Sequence, residues 1–311
     1  MFTAERVPEN AYRRQRGFRR GVAAAVAMAA FWPVPGILAP ESAGAAAAAI
    51  PYVALGDSFT SGPSIPNQVS AGCMRSDHNY PSDTANALGL SLTDMSCGGA
   101  TTANMYSPQQ VSTGPANPAQ LSVLSKSTQV VSLGIGANDI GIANILVNCA
   151  ALTPWGPTSV GANCKNYYDP TGNDSLKAAI NALASTMASL LQTVHADAAA
   201  AKVFVVGYAA IFPATGACWP SMPYEKADAQ YFTQTEDELN SMLASVAGSN
   251  NAVYVDTYAK SLPYNACTAA ATRWVEPLVP VAPAYPAHPN ATGEAGMASL
   301  LEAAMQKAGI S

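Results

Sequence analysis

The feature that most constrains this fold is a series of short apolar runs, each separated from the next by a much longer stretch of chain. Four runs have this character: IPYVAL at 50–55, QVVSL at 129–133, KVFVV at 202–206 and AVYVD at 252–256. Continuous apolar runs of this length predict strands that are buried on both faces. Such strands occur where helices cover both sides of a parallel sheet.

The stretches between these runs carry the spacing of amphipathic helices. We predict helices at 81–88, from 174 or 175 to at least 194, at 225–247, and from 291 to about 307. In the second helix, one face carries Leu176, Ile180, Leu183, Met187, Leu190, Leu191 and Val194, and in the last helix Met297, Leu300, Leu301 and Met305 point inward. Residues 61–80 and 150–173 are predicted to be irregular. The fold class is therefore α/β, with a central parallel sheet and helices on both faces.

The amino terminus has the order of features found in a secretory leader. Residues 13–20 are basic, residues 21–32 are apolar, and a stretch rich in small residues follows. The apolar run is shorter than the roughly 20 residues that cross a bilayer. We expect a leader at 1–49, a single domain at 50–311, and a secreted protein without an integral membrane segment. The paired arginines leave the export route open.

The charge of the mature chain limits its partners. Beyond residue 49, nine Lys and Arg stand against 17 Asp and Glu, for a net charge of −8 with histidines neutral. A chain this acidic has no electrostatic footprint for nucleic acid and no basic face for anionic lipid. We expect a monomer that does not bind nucleic acid.

The cysteines favour disulfide bonds. Six are present, all beyond the leader: Cys73, Cys97, Cys149, Cys164, Cys218 and Cys267. An even number in an exported chain predicts three disulfides. No C-x-x-C pair and only three histidines occur, which makes a zinc site improbable. The sequence alone does not choose among the possible pairings.

Chemically useful residues follow the first two strands, at the edge of a parallel sheet where ligands bind. The turn GDSFTSG at 56–62 offers Ser58 as a nucleophile, although Asp57 or Ser58 could equally cap the next segment. The segment GIGAND at 134–139 offers Asn138, whose amide could donate to a developing oxyanion or cap a helix.

Two further clusters complete the candidate site. In CGGATT at 97–102, paired glycines let backbone N–H groups approach a negative charge, or simply form a tight turn beside a disulfide. His288 directly precedes the last helix and is the best-placed base. Of the other two histidines, His195 ends a helix and His78 lies in a polar loop.

These four clusters, in the order Ser, Gly, Asn, His, resemble the SGNH (GDSL-type) hydrolase family over residues 51–305. Residues 131–139, 205–220, 254–258 and 273–276 look like the extracellular lipases, esterases and phospholipases of actinobacteria. The resemblance implies a three-layer, flavodoxin-like fold and a secreted hydrolase of small-molecule or lipid esters that needs no metal or other cofactor.

Residue by residue, the resemblance implies Ser58 as nucleophile and His288 as general base. The N–H groups of Ser58 and Gly99 and the side chain of Asn138 would form the oxyanion hole. It also implies disulfides between consecutive cysteines: Cys73–Cys97, Cys149–Cys164 and Cys218–Cys267. Two alternatives remain, a polysaccharide O-acetyl esterase and a secreted binding protein on an inactive hydrolase scaffold.

One position departs from the family pattern. The family commonly places an Asp three residues before the histidine, where this chain has Tyr285. That carboxylate fixes the imidazole tautomer in a Ser-His-Asp triad. Some actinobacterial members use a main-chain carbonyl instead, so we expect the Tyr285 carbonyl to accept from His288 Nδ1. Asp256 and Glu276 remain as alternative carboxylate partners.

Overall fold

The computed structural model describes residues 48–153 and 161–310. The leader expected at 1–49 lies outside the described residues except for its last two. Seven strands are present in these ranges: β1 (Pro51–Gly56), β2 (Gln68–Ser70), β3 (Arg75–Ser76), β4 (Ser91–Asp94), β5 (Val130–Gly134), β6 (Lys202–Val206) and β7 (Val253–Val255). The helices are α1 (Ser58–Ser61), α2 (Tyr80–Leu88), α3 (Ala103–Tyr106), α4 (Ile142–Leu152), α5 (Asn163–Tyr168), α6 (Ser175–Asp197), α7 (Lys226–Ser249), α8 (Tyr258–Ser261) and α9 (Ala291–Lys307).

Five strands form one sheet in the order β4-β1-β5-β6-β7, and all neighbours are parallel. Numbered along the chain, this is the order 2-1-3-4-5 of flavodoxin-like folds. β2 and β3 form a separate antiparallel hairpin. Crossover connections between parallel strands are right-handed, and the sheet extends from β1 in both directions. The helix between β1 and β4 therefore lies on one face, and the helices between β5 and β6 and between β6 and β7 lie on the other. Accordingly, α2 packs with α9, and α6 packs with α7. The α/β fold with helices on both faces is confirmed.

The core lies between these layers. β5 is buried along its whole length, and in β6 only Lys202 is exposed. Asp174 caps α6 by accepting from the N–H groups of Leu176 and Lys177, and all seven residues of its predicted apolar face are buried. In α9, Met297, Leu301 and Met305 are buried as predicted, but Leu300 is only half-buried.

Two regions predicted to be irregular contain regular structure. The hairpin β2–β3 lies within 61–80, and α4 and α5 occupy parts of 150–173. None of the helices in residues 48–153 and 161–310 is long and apolar enough to cross a membrane. The structure joins Cys73 to Cys97, Cys149 to Cys164 and Cys218 to Cys267, the pairs that the resemblance implies.

Candidate active site

Ser58 is the first residue of α1, a single turn of helix that begins directly after β1. Buried Asp57 caps this turn by accepting from Phe59 N at 3.0 Å. Gly56 is required at the strand end, because a Cβ there would lie 2.1 Å from Thr60 Oγ1 and 2.6 Å from the Gly134 carbonyl oxygen. This tight strand-to-helix turn leaves the Ser58 side chain partly exposed at the carboxyl edge of the sheet.

The turn is held from the side by Gln120. Its Nε2 donates to Gly56 O at 2.9 Å, and its Oε1 accepts from Gly56 N at 2.8 Å. Gln120 is fully buried. Gln120 therefore holds the peptide groups on both sides of Gly56. This fixes the end of β1 and hence the position of Ser58.

His288 lies beside Ser58, although the two are 230 residues apart in the chain. Its Nε2 is 2.8 Å from Ser58 Oγ. Its Nδ1 is 2.8 Å from the carbonyl oxygen of Pro286. Since a carbonyl only accepts hydrogen bonds, Nδ1 carries the proton and Nε2 presents a lone pair to the Ser58 hydroxyl. The predicted nucleophile and base are thus brought together.

The expected acceptor at Nδ1 was Tyr285, and this is corrected to Pro286. The Tyr285 carbonyl instead accepts from the backbone N–H of His288 at 3.2 Å. Ala287 adopts the left-handed region, with φ of +58°, and the chain turns so that the carbonyl two residues before the histidine faces the ring. The Tyr285 side chain packs edge-on against the imidazole, with ring centres 5.3 Å apart.

The two carboxylates considered as alternatives are occupied elsewhere. Exposed Asp256 accepts from Ala259 N at 2.9 Å. Buried Glu276 accepts from Asn290 Nδ2 at 2.7 Å and from Val281 N at 2.8 Å. Within the described ranges, no carboxylate hydrogen-bonds to His288. Removal from solvent therefore lowers the pKa of His288 to about 4, and the Pro286 carbonyl only partly opposes that shift.

The predicted oxyanion donors line the same cleft as Ser58 and His288. Neither the Ser58 nor the Gly99 N–H donates to any other group of the described chain. Gly99 has φ of +76° and is exposed, so its peptide faces the cleft without a side chain in the way. Asn138 Nδ2 donates one proton to Ala100 O at 2.8 Å, which fixes the amide and leaves its second proton free. Asn138 is not the cap of α4, a position taken by Gly141.

Two side chains that the sequence did not single out join the loops of the site. The Tyr208 hydroxyl donates to Asp57 Oδ2 at 2.5 Å and accepts from Ala137 N at 2.9 Å. Asp139 accepts from both the backbone N–H and the hydroxyl of Thr102, the latter at 2.5 Å. Tyr208 links the serine turn to the asparagine loop, and Asp139 links that loop to the glycine turn. Their signal in the sequence was their position just after strands.

The Ser58 and His288 side chains open into an apolar cleft of about 390 Å³. Its walls include Phe59, Ile142, Leu146, Val147, Ile211 and Leu278. This volume lies in the range of small-molecule sites, which combine apolar walls with a few polar groups that fix orientation. α4 supplies one wall, and the loop before His288 supplies another.

Comparison with known proteins agrees with this geometry. Residues 54–295 match the GDSL-like lipase/acylhydrolase family, which is more than half of the chain. The chain belongs to that family. It is therefore a hydrolase of carboxylic esters, of the lipase and esterase class.

Similar proteins include several from Streptomyces. "Lipase 2" of Streptomyces coelicolor is 34% identical, covering 79% of this chain and 83% of that protein. "Esterase" of Streptomyces scabiei is 29% identical, covering 81% of this chain and 82% of that protein. Among solved structures, phospholipase A1 from Streptomyces albidoflavus has a TM-score of 0.67 at 28% identity, covering 82% of this chain and 99% of that one.

Proposed function

We propose that this member of the GDSL-like family is an exported serine lipase or esterase that forms an acyl-enzyme on Ser58. The observation that carries the proposal is the hydrogen-bonded series Ser58 Oγ–His288 Nε2–Nδ1–Pro286 O at the mouth of an apolar cleft. A nucleophile bonded to a base, which is in turn oriented by a third group, is the arrangement that nucleophilic catalysis requires.

The first half of the reaction forms the acyl-enzyme. His288 Nε2 takes the Ser58 proton as Oγ attacks the ester carbonyl carbon, and the carbonyl oxygen becomes an oxyanion. The Ser58 N–H, the Gly99 N–H and Asn138 Nδ2 stabilise that charge. Removing one such donor typically raises the barrier by about 3–4 kcal/mol. The protonated Nε2 then gives its proton to the departing alcohol.

The second half repeats these roles with water. His288 Nε2 removes a proton from a water molecule, the resulting hydroxide attacks the acyl carbon, and the Ser58 alkoxide regains the proton as the acid leaves. No step requires a metal or an organic cofactor. We retain the expectation that the protein acts as a monomer without nucleic acid.

The cleft favours an ester with an apolar acyl chain. Its lining around the nucleophile is aliphatic and aromatic, which suits burial of hydrocarbon. The names of the relatives, lipase, esterase and phospholipase A1, are consistent with such a substrate. An O-acetyl glycan would place a polar sugar against these walls, so we rank that alternative lower.

Export is supported by two independent features. The sequence of residues 1–49 has the order of a secretory leader. The domain also carries three disulfides and, in the described part of the chain, no free cysteine. Disulfides persist in oxidising compartments, outside the cytosol.

A fluorophosphonate probe tests the nucleophile. The probe should label the purified protein at Ser58, and Ser58→Ala should remain folded yet neither react nor hydrolyse p-nitrophenyl esters. Labelling at another serine, or near-normal turnover by folded Ser58→Ala, would refute the assignment.

A series of p-nitrophenyl esters from acetate to long acyl chains, with acetylated xylan alongside, tests the substrate. Preference for acetylated xylan would replace the lipase assignment with that of a glycan esterase.

A further inference from the structure

The three most exposed large apolar side chains in the described ranges lie on chain segments that line the active-site cleft. Val279 is 75% exposed, Val281 is 72% exposed and Val147 is 66% exposed. Tyr285 is 48% exposed and forms part of the same border. We call these four residues the rim. A cluster of exposed apolar side chains is unusual in a soluble protein and marks an interaction site more often than isolated ones do.

The rim belongs to the two walls of the cleft. Val147 lies on α4 and lines the cleft directly. Val279 follows Leu278, which lines the opposite wall, and Tyr285 lines that wall as well. An apolar surface bound to the rim would therefore be continuous with the cleft interior.

The loop that carries Val279 and Val281 is held in place. The carboxylate of Glu276 accepts from Val281 N at 2.8 Å and from Ala282 N at 3.2 Å. Glu276 is itself fully buried and bonded to Asn290, the N-cap of α9. Buried, charge-assisted hydrogen bonds thus hold this loop in a fixed position. In that position the side chains of Val279 and Val281 face solvent rather than the core.

The rim is free of ionised side chains in an acidic protein. No Asp, Glu, Lys or Arg occurs at 140–164 or at 277–293. The whole chain nevertheless carries a net charge of −5. A surface with net negative charge would be repelled by the rest of the molecule, and the rim offers no cation to attract it. The matching partner is an apolar surface without net charge.

We propose that the rim docks onto a zwitterionic phospholipid surface and so places the cleft against the lipid. Val279 and Val281 insert among the lipids, and an acyl ester enters the cleft without its chain crossing water. This inference rests on the proposed ester hydrolysis, since it supplies the route by which an aggregated substrate reaches Ser58.

The test compares two double variants in binding and in activity. Binding to phosphatidylcholine vesicles is measured by co-sedimentation in the non-hydrolysing Ser58→Ala background. We expect Val279→Ser with Val281→Ser to weaken binding by at least about tenfold, because two apolar side chains lose their burial. The control is Tyr167→Ser with Val253→Ser, which replaces exposed apolar side chains on α5 and β7, elements that contribute no residue to the cleft lining, and should leave binding unchanged.

Activity distinguishes docking from damage to the site. With Ser58 present, the rim variant should keep kcat/KM on a soluble short-chain ester within about twofold, while hydrolysis of phosphatidylcholine vesicles falls in parallel with binding. Unchanged vesicle binding by the rim variant, an equal loss in the control variant, or tighter binding to vesicles that contain an equal part of phosphatidylglycerol would each overturn the inference. Failure of the unaltered protein to hydrolyse any soluble ester would refute the proposed function instead, since binding is measured separately.

Discussion

The acceptor at His288 Nδ1 is a peptide carbonyl, which offers a partial charge where a carboxylate would offer a full one. A carbonyl fixes the tautomer but stabilises the imidazolium less than a carboxylate does. The pKa of His288, about 4, fits this arrangement because burial is not balanced by a nearby negative charge. The neutral base therefore persists into acidic solution.

Two measurements follow from the carbonyl acceptor. In Pro286→Ala the carbonyl remains, so kcat should fall by less than about tenfold, and Asp256→Asn should leave kcat nearly unchanged. An amide in place of a triad aspartate costs about 10⁴ in kcat, and such a collapse in Asp256→Asn would contradict the carbonyl assignment.

Activity should decline only as the pH falls through about 4, because protonated His288 cannot accept the Ser58 proton.

The Tyr208 hydroxyl has a different task, since it hydrogen-bonds to neither Ser58 nor His288. It donates to Asp57, the residue before the nucleophile, and accepts from Ala137, the residue before Asn138. Asp57 and Tyr208 are both buried, so water does not replace these bonds readily. We therefore expect Tyr208 to be a positioning residue that sets the distance between the proposed nucleophile and one proposed oxyanion donor.

Replacement of Tyr208 by Phe tests this role. Loss of the hydroxyl leaves a buried N–H and a buried carboxyl without their partner, at a cost of about 1–3 kcal/mol for such a group. We expect kcat on a soluble ester to fall about 10- to 100-fold with little change in KM, because misalignment affects the transition state more than binding.

The matched control is Tyr258→Phe, which removes another buried hydroxyl that donates to a carbonyl, that of Thr233. Tyr258 does not line the cleft. This variant should lose stability but keep its kcat. Equal losses of kcat in both variants would mean that Tyr208 acts through stability alone.

At the level of elements, the sequence predicted the strands and helices that carry a continuous apolar pattern. The apolar runs of β5 and β6 and the face of α6 lie within a residue or two of their predicted positions. The edge strand β4 was missed because Ser91 and Thr93 are exposed, and its alternating SLTD does not resemble a buried run. Neither could the Pro286 acceptor be predicted, since an alanine with positive φ at 287 has no sequence signature. Ser58 and Asn138 were selected because each follows a predicted strand, His288 because it precedes the last helix, and Gly99 because of the paired glycines and the family resemblance.

The three disulfides brace different elements, and this gives a prediction. Cys73 and Cys97 flank the glycine turn, and Gly98 N donates to Cys73 O at 2.8 Å. The pair Cys73→Ser and Cys97→Ser should lose about 3 kcal/mol of unfolding free energy on the chain-entropy estimate for its 24-residue separation. It should also lower kcat, because Gly99 is no longer held.

Removal of Cys218–Cys267 is the comparison. These residues are separated by 49 positions and do not line the cleft. The longer loop predicts a larger loss of stability, about 4 kcal/mol, with a smaller loss of kcat. Denaturant unfolding and kcat on a soluble ester should therefore rank the two pairs in opposite orders. The same ranking in both measurements would show that the first disulfide does not act through the glycine turn.

At the scale of the whole molecule, several carboxyl groups are buried with no cation beside them among the described residues. Burial raises the pKa of Asp57 to about 7 and that of Glu236 to about 8, and it raises the pKa of Glu294 well above its ordinary value. Glu236 Oε2 and Glu294 Oε1 have no hydrogen-bond partner among the described residues. In the folded protein each of these groups therefore favours its protonated form, and ionising it lowers the stability of the fold.

These groups predict that the protein becomes less stable as the pH rises from about 6.5 to 8.5. In that interval the unfolded chain has already released these carboxyl protons, whereas the folded chain still holds part of them. The folded state then binds more protons, so the unfolding free energy falls with increasing pH. His288 has the opposite sign, but only between about 4 and 6.5, where the unfolded imidazole is protonated and the folded one is neutral.

Thermal unfolding at a series of pH values checks this prediction. The midpoint should fall by a few degrees between pH 6.5 and 8.5, since a domain of this size shifts by about 2–4 °C per kcal/mol. Glu236→Gln removes one of the titrating groups and should flatten the slope. Glu238→Gln, which changes an exposed glutamate paired with Lys177, should leave the slope as it is. A folded protein gains stability with rising pH only when it binds fewer protons than the unfolded chain. A midpoint that rises with pH over this interval would therefore mean that the buried carboxyls are ionised in the folded protein.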